Sequence, residues 1–197
     1  MWELNGVVGR DEKPPGCAGN FTGTAVVIGC GRCVWEDLAR FDPVKEKAEV
    51  IAINNMILHW NKRVNHGVSL HAEEPNLWRA LRYFYQCEGS HVVTHSWTRH
   101  GKPWPYSECD YVWDIELSKG GSSGLFATMV GLALGYDRII LAGVPMDGSG
   151  HFYDPPDTIT RQFTGSNIDL EWKWAGKFFN GRVRSLSGRT REWLGEP

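Results

Sequence analysis

The sequence predicts one α/β domain built on a parallel sheet, over residues 24–197. Short runs rich in β-branched residues alternate with segments of helical spacing, which is typical of parallel strands joined by crossover helices. A chain of 197 residues is also the size of one generous domain. The predicted strands are residues 25–28, 50–53, 67–70, 91–94, 138–142 and 182–185, and the predicted helices are residues 34–41, 75–86, 123–135 and 168–179.

Individual residues support the helix assignments and set the start of the domain. Pro75 suits the first turn of its helix, and Gly135 is a natural stop for the helix that begins at Ser123. That helix is apolar on all sides, so we expect it to lie buried against the sheet. Residues 1–23 contain Pro14-Pro15-Gly16 and further glycines without an apolar period, which predicts an extended amino-terminal arm.

Charge and hydropathy argue against several classes of partner. The formal net charge is -2 and the basic residues are scattered, so nothing attracts the chain to nucleic acid or to an anionic membrane surface. The most apolar stretch, residues 125–144, is interrupted by Tyr136-Asp137-Arg138, so we expect no membrane span. The five cysteines are an odd number, and no basic segment followed by an apolar run opens the chain. We therefore expect a cytoplasmic protein without disulfides.

Polar residues follow the predicted strands, at the edge of the sheet where open α/β folds bind their ligands. We therefore expect the functional site to form there. In strand order, the segments are Gly29-Cys30-Gly31, Asn54-Asn55, His71-Ala72-Glu73, His95-Ser96, Gly143 to Asp147, and Ser187-Gly188.

Two glycine-rich segments are candidates for binding an anion. Gly29-Cys30-Gly31 lets the backbone turn tightly and bring amides close to a phosphate. The dinucleotide-binding motif has a third glycine where this chain has Val34, so a plain strand-to-helix turn is an equal alternative. Gly120-Gly121-Ser122-Ser123-Gly124 opens the buried helix and places amides and hydroxyls at the positive end of its dipole. We expect this segment to be the better ligand-binding element, with a simple serine N-cap as the alternative.

The second segment also matches the Gly-x-Ser-x-Gly nucleophile elbow of serine hydrolases, with Ser122 as nucleophile. In that fold the acid and the histidine follow the serine along the chain. The one histidine after Ser122 is His151, four residues from Asp147. Acid and base would then come from a single loop, so the hydrolase hypothesis is the weaker one.

Histidines and cysteines supply the other candidates for chemistry. His71, His95 and His151 fall on predicted strand-end loops, where each is a candidate general base near neutral pH. Together with Glu73 they are potential metal ligands, but no pair has helical metal-ligand spacing. Cys30-Gly31-Arg32-Cys33 has redox spacing, but two structural thiols are the simpler interpretation.

A wider set of residues resembles a known family. The segments are Ser122-Ser123-Gly124, Leu134-Gly135-Tyr136, Ile139 to Gly143 and the acidic, aromatic loop that follows. They are similar to the core of bacterial family-42 sialyltransferases and of related domain-of-unknown-function proteins from flagellin-glycosylation and archaeal pterin-kinase settings. The resemblance implies a three-layer Rossmann-like α/β sandwich with a mostly parallel sheet of about six strands.

The resemblance also implies which residues hold a sugar nucleotide. In the family, a Gly-Asn-Gly turn, an Asn after the second strand and a Thr-Ser-Gly segment do so. Here Cys30 replaces the motif's Asn, and Gly120 stands where an Arg is expected. Asp147 stands near the position of one of the family's two phosphate-binding tyrosines, and the second corresponds to Tyr153. The family's catalytic histidine has no equivalent in residues 165–167. The residues matched to the donor site are Gly29, Cys30, Gly31, Asn54, Ser122, Ser123 and Gly124.

These observations favour a nucleotide-sugar-binding, glycosyltransferase-like enzyme that works without a metal, since no Asp-x-Asp pair occurs in the chain. His71, His95 or His151 would deprotonate the acceptor, and Asp147 is a further catalytic candidate. The alternative is a non-catalytic protein that binds a nucleotide, or a phage or host component, in the same pocket. The segment Val183 to Arg191 resembles uncharacterised bacteriophage proteins, which favours a phage origin and a place in the host cytoplasm. The aromatic stretch 97–113 is a candidate lid or contact surface.

Overall fold

Strands and helices alternate along most of the chain. The structure, a computed structural model, describes residues 1–10, 13–89, 91–97, 109–117, 122–157 and 166–197. The strands are β1 (Trp2–Leu4), β2 (Val7–Gly9), β3 (Thr24–Ile28), β4 (Glu49–Ile53), β5 (His66–Val68), β6 (Val93–Trp97), β7 (Tyr111–Trp113), β8 (Arg138–Ala142) and β9 (Val183–Ser185). The helices are α1 (Val34–Arg40), α2 (Met56–His59), α3 (Pro75–Phe84), α4 (Ser123–Leu134), α5 (Ser166–Phe178) and α6 (Gly188–Leu194).

The main sheet has the strand order β7-β6-β5-β4-β3-β8-β9, and each pair of neighbours is parallel. This confirms the predicted α/β Rossmann-like fold. All six predicted strands are present, and β7 is a seventh that the sequence did not indicate. β7 spans only three residues, in a stretch where apolar alternation is too short to detect. Because β3 pairs with β4 on one side and β8 on the other, the strand order reverses at β3.

Apolar side chains on both faces of the sheet create two core clusters. Ala25 and Val27 of β3 belong to the cluster that α4 and α5 cover, whereas Val26 and Ile28 belong to the one covered by α1 and α2. Successive side chains of a strand point to opposite faces, so one strand supplies both layers. The result is a helix-sheet-helix sandwich.

Helix α4 is buried along nearly its whole length, as its composition predicts. Each residue from Gly124 to Leu134 is buried, and Gly135 ends the helix at a φ of 115°, which favours glycine. A Cβ at Gly135 would also lie 2.4 Å from the Phe21 carbonyl oxygen. Among the described residues, no helix is long and apolar enough to cross a membrane.

The amino terminus differs from the predicted extended arm. Strands β1 and β2 form an antiparallel hairpin whose turn, Asn5-Gly6, has φ values of 54° and 80°. Asn-Gly is the preferred pair for a tight hairpin turn, so the signal was present in the sequence. Val7 is 1% exposed and joins the core beside α4. The hairpin therefore covers part of the buried helix.

Candidate functional site

A cavity of about 1750 Å³ opens at the carboxyl ends of β3, β4 and β8. It lies where the strand order reverses, which is the usual ligand-binding position in open α/β sheets. The sequence predicted a site at this edge, and the structure brings together every candidate residue except His95. Those that line the cavity are Gly29, Cys30, Gly31, Asn54, His71, Ser122, Ser123, Gly124, Asp147 and His151.

His95 does not reach the cavity, which corrects its assignment as a candidate base. The predicted strand ended at residue 94, but β6 continues to Trp97, so His95 lies inside the sheet and is fully buried. Its Nε2 lies 3.0 Å from Nδ1 of His66, and its Nδ1 accepts a 3.0 Å hydrogen bond from Nε1 of Trp113. Burial, followed by the effect of His66, keeps the pKa of His95 well below its usual value. His95 is a structural residue.

The two glycines after β3 allow close contact with the loop after β8. A Cβ at Gly29 would lie 2.5 Å from the Gly143 carbonyl oxygen, and one at Gly31 would lie 2.4 Å from Cδ of Pro145. The Gly29 and Gly31 amides donate to the carbonyls of Ala142 and Gly143, each at 2.8 Å. These amides are already bonded, so the expectation that they bind phosphate is corrected: the glycines join two loops of the cavity wall.

Two serines at the amino terminus of α4 have different roles. Ser122 is the N-cap, and its Oγ accepts hydrogen bonds from the amides of Gly124 at 3.1 Å and Leu125 at 3.5 Å. The Ser122 hydroxyl also donates to Sδ of Met146 at 3.8 Å, so its bonds are those of a cap and not of a nucleophile. Ser123 is half-buried and lines the cavity at the positive end of the helix. Gly120 and Gly121 lie outside the described residues.

The two serines are expected to respond differently to truncation. Ser122→Ala removes the cap and should lower the free energy of unfolding by about 1 kcal/mol. Ser123→Ala should change it by less than about 0.5 kcal/mol, because this hydroxyl is on the cavity surface. Urea unfolding of the two variants measures the difference, and equal losses would contradict the division of roles.

His151 is held firmly in the loop after β8. Its Nδ1 lies 2.9 Å from Oδ2 of Asp154, and its backbone N–H donates to the same oxygen at 2.7 Å. The bond from the backbone N–H is the main reason why the pKa of Asp154 is lowered. The His151 ring stacks on Tyr153, with centroids 5.1 Å apart and planes 5° apart. Its backbone forms an isolated antiparallel bridge with Gly31, which places the histidine beside the glycine turn.

The side chains after β4 face the same space. Asn54 has a φ of 51°, and its Oδ1 accepts a 2.8 Å hydrogen bond from Ser69 Oγ. The carbonyl end of the amide is thus engaged, and Nδ2 is the donor that Asn54 offers to a ligand. Asn55 Nδ2 donates to the Tyr153 hydroxyl at 3.4 Å, linking this turn to the loop of His151.

Cys30 in the cavity wall and Cys33 in the adjoining turn both hold their thiols in the protonated form near neutral pH. Burial raises the pKa of Cys30 to about 12, and burial also raises that of Cys33 to about 12. Cys33 Sγ lies 3.0 Å from Ser187 Oγ, and both cysteines are free. Thiolate is the reactive form, so these values support the interpretation of two structural thiols.

Among the described residues that line the cavity, carboxylates outnumber cations. Arg10 is the arginine among its described lining residues, and its Nη2 lies 3.7 Å from Oε1 of Glu116. The donors that this part of the lining offers to an anionic ligand are mainly amides, hydroxyls and a helix amino terminus. Within the described part of the chain, no three His, Cys, Asp or Glu side chains cluster as metal ligands would. The lining carboxylates are Glu73, Glu74, Glu116, Asp147 and Glu171.

Several residues in or beside the cavity were not predicted from the sequence. Arg10 comes from the predicted arm, and Trp97 from the end of β6. Asp154 was missed although its spacing from His151, three residues along one loop, was a usable signal. Most of the candidate lid or contact surface, residues 98–108, lies outside the described residues.

Solved structures of one enzyme are similar to this chain. The sialyltransferase CstII from Campylobacter jejuni in complex with CMP-3FNeuAc has a TM-score of 0.59 and 13% identity, with 88% of this chain and 85% of that chain covered. Its complex with the substrate analogue cytidine-5'-monophosphate has a TM-score of 0.57 and 12% identity, with 88% and 84% covered. No protein-family model and no curated protein matches the sequence. At such identity the likeness establishes the shared fold.

Proposed function

We propose that this protein binds a nucleotide sugar and acts as a glycosyltransferase that needs no metal. One observation carries the proposal: the cavity at the strand-order reversal collects Asn54, Ser123 and His151 in a fold shared with a sialyltransferase solved with cytidine ligands. Its volume of about 1750 Å³ exceeds that of most small-molecule sites, so a donor and part of an acceptor fit together.

The donor phosphate would lie at the amino terminus of α4. There the hydroxyl and amide of Ser123 and the positive end of a 12-residue helix favour an anion. Nδ2 of Asn54 would donate to the nucleoside or its sugar. Within the described lining, Ser123 and the helix terminus are therefore the groups assigned to the phosphate.

The acceptor hydroxyl must lose a proton as it attacks the sugar. His71 and His151 both line the cavity and are the candidates that remain once His95 is excluded. Asp147 is exposed on the loop after β8, where its Oδ1 accepts a hydrogen bond from the Ser149 amide at 2.9 Å. Its carboxylate would repel a phosphate placed beside it, so it faces the acceptor side in this proposal.

The test is binding of a panel of nucleotides and nucleotide sugars of all four common bases to the wild type and to Asn54→Asp. Aspartate tolerates the same backbone conformation and still accepts from Ser69, but it adds a negative charge and removes the Nδ2 donor. We expect one base family to stabilise the wild type against heat and Asn54→Asp to bind it at least 10-fold more weakly.

Asn180→Asp is the matched control. Asn180 also has a positive φ, 48°, and is exposed outside the cavity, so the same substitution adds the same charge elsewhere. It should leave nucleotide affinity unchanged. If no member of the panel stabilises the wild type, the proposal is wrong. Binding without any cleavage of the nucleotide sugar would instead favour a non-catalytic nucleotide-binding protein.

A further inference from the structure

We infer that Asp154 is a positioning residue that fixes His151 as the general base. This inference rests on the proposed function, because it assigns the proton acceptor of the transfer. The observations behind it are the hydrogen bonds of the loop after β8.

Asp154 controls both the backbone and the ring of His151. Oδ2 accepts from the backbone N–H at 2.7 Å and lies 2.9 Å from Nδ1, so one oxygen anchors the residue at two points. An ionised carboxylate accepts hydrogen bonds and donates none. Nδ1 must therefore carry the proton, and in the neutral ring Nε2 then has the lone pair.

Two further contacts set where the ring lies. Tyr153 stacks on its face, and the hydroxyl of Tyr153 is itself bonded to Asn55, so the stacking partner is held from the β4 side. The bridge between His151 and Gly31 fixes the loop to the turn after β3. The ring is thus oriented by the loop after β8, the turn after β4 and the turn after β3, and all three line the cavity.

His71 lacks an equivalent arrangement. It is exposed, and its hydrogen bonds within the described residues are made by its backbone: the N–H donates to Ser69 Oγ at 2.9 Å and the carbonyl accepts from the Glu74 amide at 3.2 Å. No carboxylate there fixes the tautomer of its ring. A base works best when its acceptor atom is already oriented, so His151 is the better placed of the two.

In the reaction, Nε2 of His151 removes the proton from the acceptor hydroxyl. The acceptor oxygen uses its freed electron pair to form a bond to the anomeric carbon of the donor. The bond from that carbon to the phosphate oxygen breaks, and its electron pair leaves with the nucleotide phosphate. The imidazolium that forms beside Asp154 is stabilised by the carboxylate, while the amino terminus of α4 faces the departing negative charge.

Asp154→Asn tests the inference, with Asp157→Asn as the control. Asp157 is exposed on the same loop, so its substitution removes the same charge without touching His151. Nitrogen NMR of histidine-labelled wild type should show neutral His151 protonated at Nδ1. An asparagine amide can donate to Nδ1, so in Asp154→Asn the Nε2-protonated tautomer should appear, whereas Asp157→Asn should match the wild type.

Kinetics supply the second readout, with hydrolysis of the best-bound nucleotide sugar as the probe. Asp154→Asn should lower kcat by about 100-fold with little change in KM, since general base catalysis contributes at least this much. An Nε2-protonated His151 in the wild type, or an unchanged kcat in Asp154→Asn, would overturn the inference. If the wild type bound no nucleotide, the proposed function would be refuted. The tautomer of His151 is measured without ligand, so the two failures can be told apart.

Discussion

Arg82→Met is expected to lower the free energy of unfolding by about 4 kcal/mol, the largest effect of any substitution considered. Arg82 of α3 is fully buried, and its guanidinium donates to four backbone carbonyls. Methionine fills a similar volume but donates no hydrogen bond, so these carbonyls would remain buried without this partner. The acceptors are Ile57 at 2.8 Å, Trp60, Lys62 at 2.8 Å and Glu88 at 2.7 Å.

Arg79→Met is the matched control, on the same helix and one turn earlier. Arg79 donates to Oδ2 of Asp110 at 2.8 Å, but that carboxylate is 40% exposed, and exposed ion pairs contribute little. We expect a loss of about 1 kcal/mol or less. Chemical denaturation of both variants measures the two losses in free energy of unfolding. Similar losses would show that the buried hydrogen bonds of Arg82 contribute no more than an exposed ion pair.

Acid should destabilise the protein through a chain of buried hydrogen bonds across the sheet. Trp113 Nε1 donates to His95 Nδ1, and His95 Nε2 lies 3.0 Å from His66 Nδ1. His66 Nε2 is 3.1 Å from the Tyr136 hydroxyl, which donates to Glu49. Since the indole N–H can only donate, His95 must donate to His66, and His66 to Tyr136. Both rings are therefore neutral, with fixed tautomers.

The direction of the pH effect follows from the histidine pKa values. Burial lowers the pKa of His66 to about 4 from an ordinary 6.5, so between these values the unfolded chain binds a proton that the folded protein excludes. Stability is then complete above pH 6.5 and falls as the pH drops towards 4. His66 alone accounts for about 3 kcal/mol of this loss, and His95 acts in the same direction.

Urea unfolding at several pH values between 7 and 4 measures this loss in the wild type and in His66→Asn. The variant should be less stable at pH 7, because the chain of hydrogen bonds is broken, and should lose less stability on acidification. His91→Asn changes an exposed histidine and should keep the wild-type pH dependence. If His66→Asn retained the full acid sensitivity, the buried chain would not be its source.

Periodicity predicted the sheet well because the strands of a doubly covered sheet are continuous apolar runs. Val26, Ile28 and their neighbours are buried on both faces, and no polar alternation obscures them. The helix from Ser123 was predicted for the same reason. The hairpin at Asn5-Gly6 was missed because the glycines and prolines near it suggested an arm, although the turn signal was specific.

Prediction of the site depended on where each strand ends. Parallel strands bring their following loops to one edge, so grouping the residues after each strand found Asn54, Ser123 and His151 together. An error of a few residues in the end of β6 was enough to misplace His95, because side chains inside a strand point into the layers. The Asp154 contact and the bonded glycine amides depend on loop conformation, which periodicity does not reveal.

The central strand β3 also has a consequence for synthesis on the ribosome. One edge of β3 can pair with β4 soon after both emerge, but its other partner, β8, follows more than a hundred residues later. At about 5–20 residues per second, that edge waits on the order of 10 s for its partner. During this interval the nascent chain exposes an unpaired, mostly apolar strand at what becomes the middle of the sheet. Aggregation is therefore a greater hazard before β8 is made than after.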